Sequence, residues 1–152
     1  MSNNIEIIKK LRDETGAGIL EIKNMLEEQG DNYDKTKEEL LKKSAAKAAK
    51  KSDRVAEDGL VYSYIHNSGK VGSLVLLSCE TDFVAKTEDF QKLCKDIAMQ
   101  VCSEDYEDLE KLLESEYIRD PSKKISDLIN EAVAKVGEKI EIRKFAKFSV
   151  GE

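Results

Sequence analysis

Cys79, His66 and Asp82 are the residue types of a thiol nucleophile with its base and an orienting carboxylate, and a strand end followed by a loop could bring them together. The surrounding pattern does not support that use. His66 is the single histidine, it falls at the end of a predicted hairpin, and the commoner fate of such a residue is solvent exposure or contact with a partner. Glu80, Asp82, Glu88 and Asp89 raise the question of a calcium or magnesium site, but the twelve-residue loop that would converge their oxygens is missing. They are better placed to cap helices and to complement helix dipoles. Thr15-Gly16-Ala17-Gly18 resembles a phosphate cradle only superficially, because that device follows a strand and both flanks here are helical. No nucleophile elbow, zinc spacing or paired-carboxylate motif occurs. The chain therefore reads as a non-enzyme with no cofactor or metal of its own.

What remains is chemistry of binding. Cys79-Glu80-Thr81-Asp82-Phe83-Val84-Ala85 follows the most apolar run, Leu74-Val75-Leu76-Leu77, so a strand ends and a helix begins there. An acidic residue beside an aromatic at such a junction can be pressed into a partner, since the flanking elements hold the loop at the surface. The same stretch also reads as a plain helix start, with Thr81 or Asp82 as cap and Phe83 and Val84 as a staple to the core. Leu20 is a second candidate contact. At about 100° per residue it lies off the stripe of Ile19, Ile22, Met25 and Leu26.

The elements that position these residues follow from periodicity. Ile5, Ile8 and Leu11 mark a first helix, the Gly16–Gly18 turn interrupts, a second helix stops at Gly30, and a third runs through Tyr33, Leu40 and Leu41 into an Ala/Lys-rich stretch. From Gly59 the period changes to two. Residues 60–66 and 71–77 flank Asn67-Ser68-Gly69-Lys70 as a hairpin. A helix follows with Phe90, Leu93, Cys94, Ile97, Ala98 and Val101 in register, then a shorter one around Leu109, Leu112 and Leu113. Pro121 breaks the chain before a helix on Ile125, Leu128, Ile129, Ala132, Val133 and Val136 that Gly137 ends. Ile140, Ile142, Ala146, Phe148 and Val150, at even steps, predict a third strand. The expected class is α+β, with a three-helix module over 1–52 and a core domain of a small three-stranded antiparallel sheet packed with helices over 53–152.

The 152 residues carry a net charge of -6, which argues against a nucleic-acid binder, since phosphate contacts need a basic surface. Lys42, Lys43, Lys47, Lys50, Lys51 and Arg54 do form a basic stretch, but it also reads as a solvated helix face. Three cysteines without Cys-x-x-Cys spacing read as reduced thiols. No run reaches membrane-spanning length and the N-terminus has no leader character, so cytoplasm is the expected location and no membrane is expected as a partner.

Two motifs carry a family resemblance: Lys9-Lys10-Leu11-Arg12-Asp13-Glu14-Thr15-Gly16-Ala17-Gly18 near the start and Thr81-Asp82-Phe83-Val84 after the hairpin. They stand in the expected order around a connector ending Arg54-Val55-Ala56-Glu57-Asp58-Gly59, and Val136-Gly137-Glu138-Lys139-Ile140 follows. Together they resemble the elongation factor Ts family, the guanine nucleotide exchange factors of elongation factor Tu. The resemblance implies a ubiquitin-associated-like helical module that docks on elongation factor Tu through Lys9, Arg12, Ile19, Leu20 and Lys23, where Ile19 and Leu20 replace a methionine pair. It implies that Thr81, Asp82, Phe83 and Val84 disturb the partner's magnesium and phosphate site, with Phe83 as a wedge, and that His66 also meets the partner. Long members have two core copies and a helical projection, whereas this chain has room for one copy and lacks much of the helical insertion that short members carry. A homodimer engaging two copies of elongation factor Tu is the expected compensation, since the 74–77 strand is apolar on both faces. The alternative is a non-exchanging adaptor whose helical module binds another protein while the sheet domain dimerises.

Overall fold

Three amphipathic helices open the chain because their apolar residues recur every three to four positions, and polar turns stop each one. In the computed structural model, which describes residues 2–152, these are α1 (Ser2–Thr15), α2 (Ile19–Glu28) and α3 (Tyr33–Lys50). They enclose a small core of Leu11, Ala17, Ile22, Met25, Leu26 and Leu40. Asn32 starts α3 by accepting from the Lys35 amide at 3.1 Å. Ile19, expected in the buried stripe, is instead 47% exposed. It is the first residue of α2, beyond the edge of a core that only Ile22, Met25 and Leu26 of that helix reach.

The second part is built on β1 (Asp58–Ile65), β2 (Val71–Cys79) and β5 (Glu141–Ser149), antiparallel throughout and ordered β1-β2-β5. One face is covered by α4 (Asp82–Ala85), α5 (Glu88–Ser103), α6 (Leu109–Glu114) and α7 (Ile125–Val136) around a core that includes Val75, Leu77, Phe90, Cys94, Ile97 and Ile142. Thr87 caps α5 through the Phe90 amide and Asp108 caps α6 through the Lys111 amide. The fold class, and the order of the three opening helices, the hairpin, the later helices and the final strand, are those read from the residues.

Two features depart from the sequence reading. Residues around Pro121 form a short hairpin, β3 (Glu116–Tyr117) with β4 (Asp120–Lys124), rather than a simple break. Edge pairing tolerates a proline because only one side of the strand must donate. The even-step tail, moreover, does not keep one face. The register passes from Leu76↔Lys144 to Leu77↔Ile142, leaving Arg143 as an extra residue. Such a bulge reverses the alternation, so Ile140 and Ile142 are buried while Phe148 and Val150 are exposed.

The helical module rests on α7 and the β3–β4 hairpin. Gly16, with φ of 71°, passes so close to α7 that a Cβ there would lie 2.5 Å from the Glu131 carbonyl oxygen. Ser44 Oγ donates to the Thr15 carbonyl at 3.0 Å, and Lys123 Nζ donates to the Glu14 carbonyl at 2.5 Å. Lys37 lies 3.3 Å from Asp120 and 3.6 Å from Glu14, and the Tyr33 hydroxyl donates to Glu14.

Candidate functional site

β2 ends inside the core at Cys79, and the chain must then leave the sheet. It does so through Glu80 and Thr81 into α4, a single turn. Thr81 Oγ1 accepts from the Val84 amide at 3.3 Å, so the predicted cap forms. The staple forms only in part. Val84 and Ala85 are buried, whereas Phe83 is 81% exposed. The turn thus presents a large aromatic to solvent while its buried neighbours hold it in place. Val84 has its side chain in the core, whereas Asp82 and Phe83 are exposed. Thr81 is exposed, but its hydroxyl is engaged by the cap and by Glu138 Oε2 at 2.7 Å.

Asp82 pairs with Lys86 one turn on, at 2.7 Å, and that contact holds the Lys86 ammonium above its usual range, chiefly through the hydrogen bond. Both side chains are exposed, so the pair opens readily in favour of another partner. Lys86 was not singled out from the sequence, although its four-residue spacing from Asp82 was a sufficient signal. Glu138 was also missed, because a tertiary tie across 57 residues leaves no local pattern.

The second candidate surface lies at the α1–α2 turn. Thr15 is buried and closes the end of α1 by donating to the Leu11 carbonyl at 2.6 Å. Gly16 and Ala17 complete the turn, which presents Ile19 and the 71%-exposed Leu20. Lys23 is one turn along α2 on the same side as Ile19 and Leu20, and Lys9 and Arg12 are exposed one turn apart on α1. The turn is thus built by its small residues and shows its large ones.

His66 does not join either surface within one chain. It stands where β1 meets the hairpin, at the opposite end of β2 from Cys79, roughly 25 Å away along the strand. Its Nδ1 lies 3.1 Å from the Tyr64 hydroxyl. Cys79, Asp82 and His66 consequently form no triad, and burial pushes the Cys79 thiol up to about 11 and that of Cys94 up to about 12. Among the described residues no cluster of three or more His, Cys, Asp or Glu is placed to hold a metal ion, and no helix is long and apolar enough to cross a membrane.

The sheet face away from the helices is apolar as well. Val61, Ile65, Leu74 and Phe148 are all exposed on it, with Ala146 between them. An open face of this kind marks an interaction site.

The arrangement has relatives. A sequence profile described as "Elongation factor TS" matches residues 80–152. The chain is 42% identical to an elongation factor Ts of Petrotoga mobilis over 197 aligned positions that span all of both chains. It is 40% identical to that of Caldanaerobacter subterraneus, with 97% of this chain and 96% of the relative covered, and 38% identical to that of Syntrophomonas wolfei, with 97% and 90% covered. The Petrotoga alignment exceeds the 152 residues present here, so that relative carries residues this chain lacks. With identity at this level over essentially its whole length, the chain belongs to the elongation factor Ts family.

Proposed function

We propose that this protein binds elongation factor Tu in its GDP form and accelerates GDP release without covalent chemistry, residues 1–52 serving as the docking part and 53–152 as the exchange part. The observation that carries the reading is Phe83, exposed on a turn whose neighbours Val84 and Ala85 are locked into the core. Docking uses Lys9, Arg12, Ile19, Leu20 and Lys23. Phe83 then acts as a wedge toward the magnesium and phosphate end of the partner's site, while Asp82 exchanges its pairing with Lys86 for partner backbone. Loss of magnesium unscreens the nucleotide phosphates, so release becomes faster. The magnesium is the partner's. Linkage requires the reciprocal effect: a factor that weakens nucleotide binding is itself bound more weakly when nucleotide is present.

The protein acts in the cytoplasm as a homodimer joined through the open sheet face, which places His66 of one protomer at the service of the partner bound to the other. The apolar character of that face supports the pairing. No nucleic acid takes part. Release of labelled GDP from elongation factor Tu, with and without this chain, tests the reading. Strong acceleration with shallow salt dependence is expected. Binding without acceleration would favour the adaptor, and steep loss with salt would favour phosphate contacts.

A further inference from the structure

Beneath the exposed turn lies a carboxylate to which exchange has not yet assigned a part. Gly137 ends α7 with φ of 76° and so turns Glu138 back toward the end of β2. Glu138 Oε1 accepts from the amides of Glu80 at 3.1 Å and Thr81 at 3.0 Å, and Oε2 accepts from the Thr81 hydroxyl at 2.7 Å. A threonine hydroxyl has one hydrogen. Giving it to Glu138 aims the oxygen lone pairs at the Val84 amide, which is the cap of α4. Arg54 braces the same corner, donating to the Gly137 carbonyl at 3.3 Å and pairing with Glu80 at 3.4 Å.

We propose that Glu138 is a positioning residue for exchange: it fixes the direction in which Asp82 and Phe83 leave the core, so that the wedge meets its partner already ordered. The inference rests on the exchange reading above. A turn that had to order itself on contact would lose part of its interaction energy to that ordering, and three charge-assisted hydrogen bonds from one carboxylate prevent it. Glu138 acts through the turn and does not itself touch the partner.

The test follows GDP release from elongation factor Tu as a function of factor concentration for the parent, Glu138→Ala and Glu138→Gln. Glu138→Ala removes all three acceptor contacts and is expected to lower the limiting rate at least about tenfold, the minimum set by a single charge-assisted bond, with less than a twofold change in the half-saturating concentration, because the Leu20 surface is untouched. Glutamine still accepts from both amides through its carbonyl oxygen but loses the acceptor for the Thr81 hydroxyl, so Glu138→Gln should fall only about threefold. A parent without activity would overturn the exchange reading. An active parent whose Glu138→Ala variant keeps the full limiting rate, or loses only half-saturation, would overturn the positioning role. If the alanine variant does not fold, the glutamine variant decides: a full parental rate overturns the role and an approximately threefold loss supports it.

Discussion

Lys123 Nζ stands 2.8 Å from Glu131 Oε1 in the seam between the helical module and the core, with both side chains buried. The approach is an ion contact of poor angle, and Oε1 has no hydrogen-bond partner of acceptable geometry. Burial, opposed by Lys123, pushes the Glu131 carboxyl up to about 7 from its ordinary 4.5. The folded protein thus holds this proton more tightly than the unfolded chain does. The stabilisation is complete below about pH 4.5 and is lost as pH rises through about 7.

Stability should therefore fall between pH 5 and pH 8, by on the order of 3 kcal/mol at most from this group. Glu131→Gln imitates the protonated form and should flatten the dependence. Urea midpoints of both proteins at pH 5, 6.5 and 8 check it, and equal slopes would remove Glu131 as the source.

The two glycines of the α1–α2 turn should respond differently. Gly16→Ala places a Cβ against the Glu131 carbonyl in a left-handed conformation, whereas Gly18 has nothing within 4 Å of an added Cβ. Gly16→Ala is expected to lower stability by about 2 kcal/mol or more and Gly18→Ala by well under 1 kcal/mol. Thermal melts of the pair separate the roles.

Leu20→Asp should leave stability within about 0.5 kcal/mol, because the side chain is exposed. Affinity for elongation factor Tu should fall at least tenfold, since a charge enters an apolar contact. Arg12→Ala should act the same way more mildly. Titration calorimetry against elongation factor Tu is decisive, and unchanged affinity in both variants would move the docking surface elsewhere.

Phe83→Ala and Val84→Ala divide the candidate turn into its two uses. The first removes an exposed aromatic and should cost exchange about 2 kcal/mol, some thirtyfold in rate, with little change in melting. The second empties a buried site and should lower stability by about 1–2 kcal/mol while the folded fraction still exchanges. Stopped-flow GDP release paired with melting curves shows whether the two effects separate.

Elements with a strong period were legible in the residues: the helical stripes, the hairpin around Asn67–Lys70 and the three-stranded sheet all stand where spacing placed them. Leu20, set off its stripe, is exposed as its angle required. What stayed hidden depended on tertiary context. A bulge at Arg143 defeats an even-step pattern because alternation counts residues and not hydrogen bonds. Ile19 is an apolar residue whose exposure is set by the edge of a core, which no local spacing reports, and of the two staple residues Val84 is buried while Phe83 is not. Glu138 reads as one more acidic residue after a helix until its three acceptor contacts are seen.

Dimerisation is the remaining expectation. In the register of the sheet, Val61, Leu76 and Lys144 form one cross-strand row, and Gly72 stands beside Phe148 on the same outward face as Leu74 and Ile65. Leu74 is 48% exposed and Phe148 77%, although each could have been polar at no cost to the inner core. Packing two such sheets face to face would bury these residues in a symmetric interface about 10 Å thick, the spacing of sheets in a sandwich. A lysine at position 74 would bury an unpaired charge twice over in that interface, once from each protomer. The parent should scatter light as twice its 17.1 kDa chain mass and Leu74→Lys as a single chain, with both melting as folded proteins. The monomeric variant should also lose exchange activity if His66 of one protomer serves the site of the other. A parent of single-chain mass with full exchange activity would show that one protomer suffices and that the apolar face meets something other than its own copy.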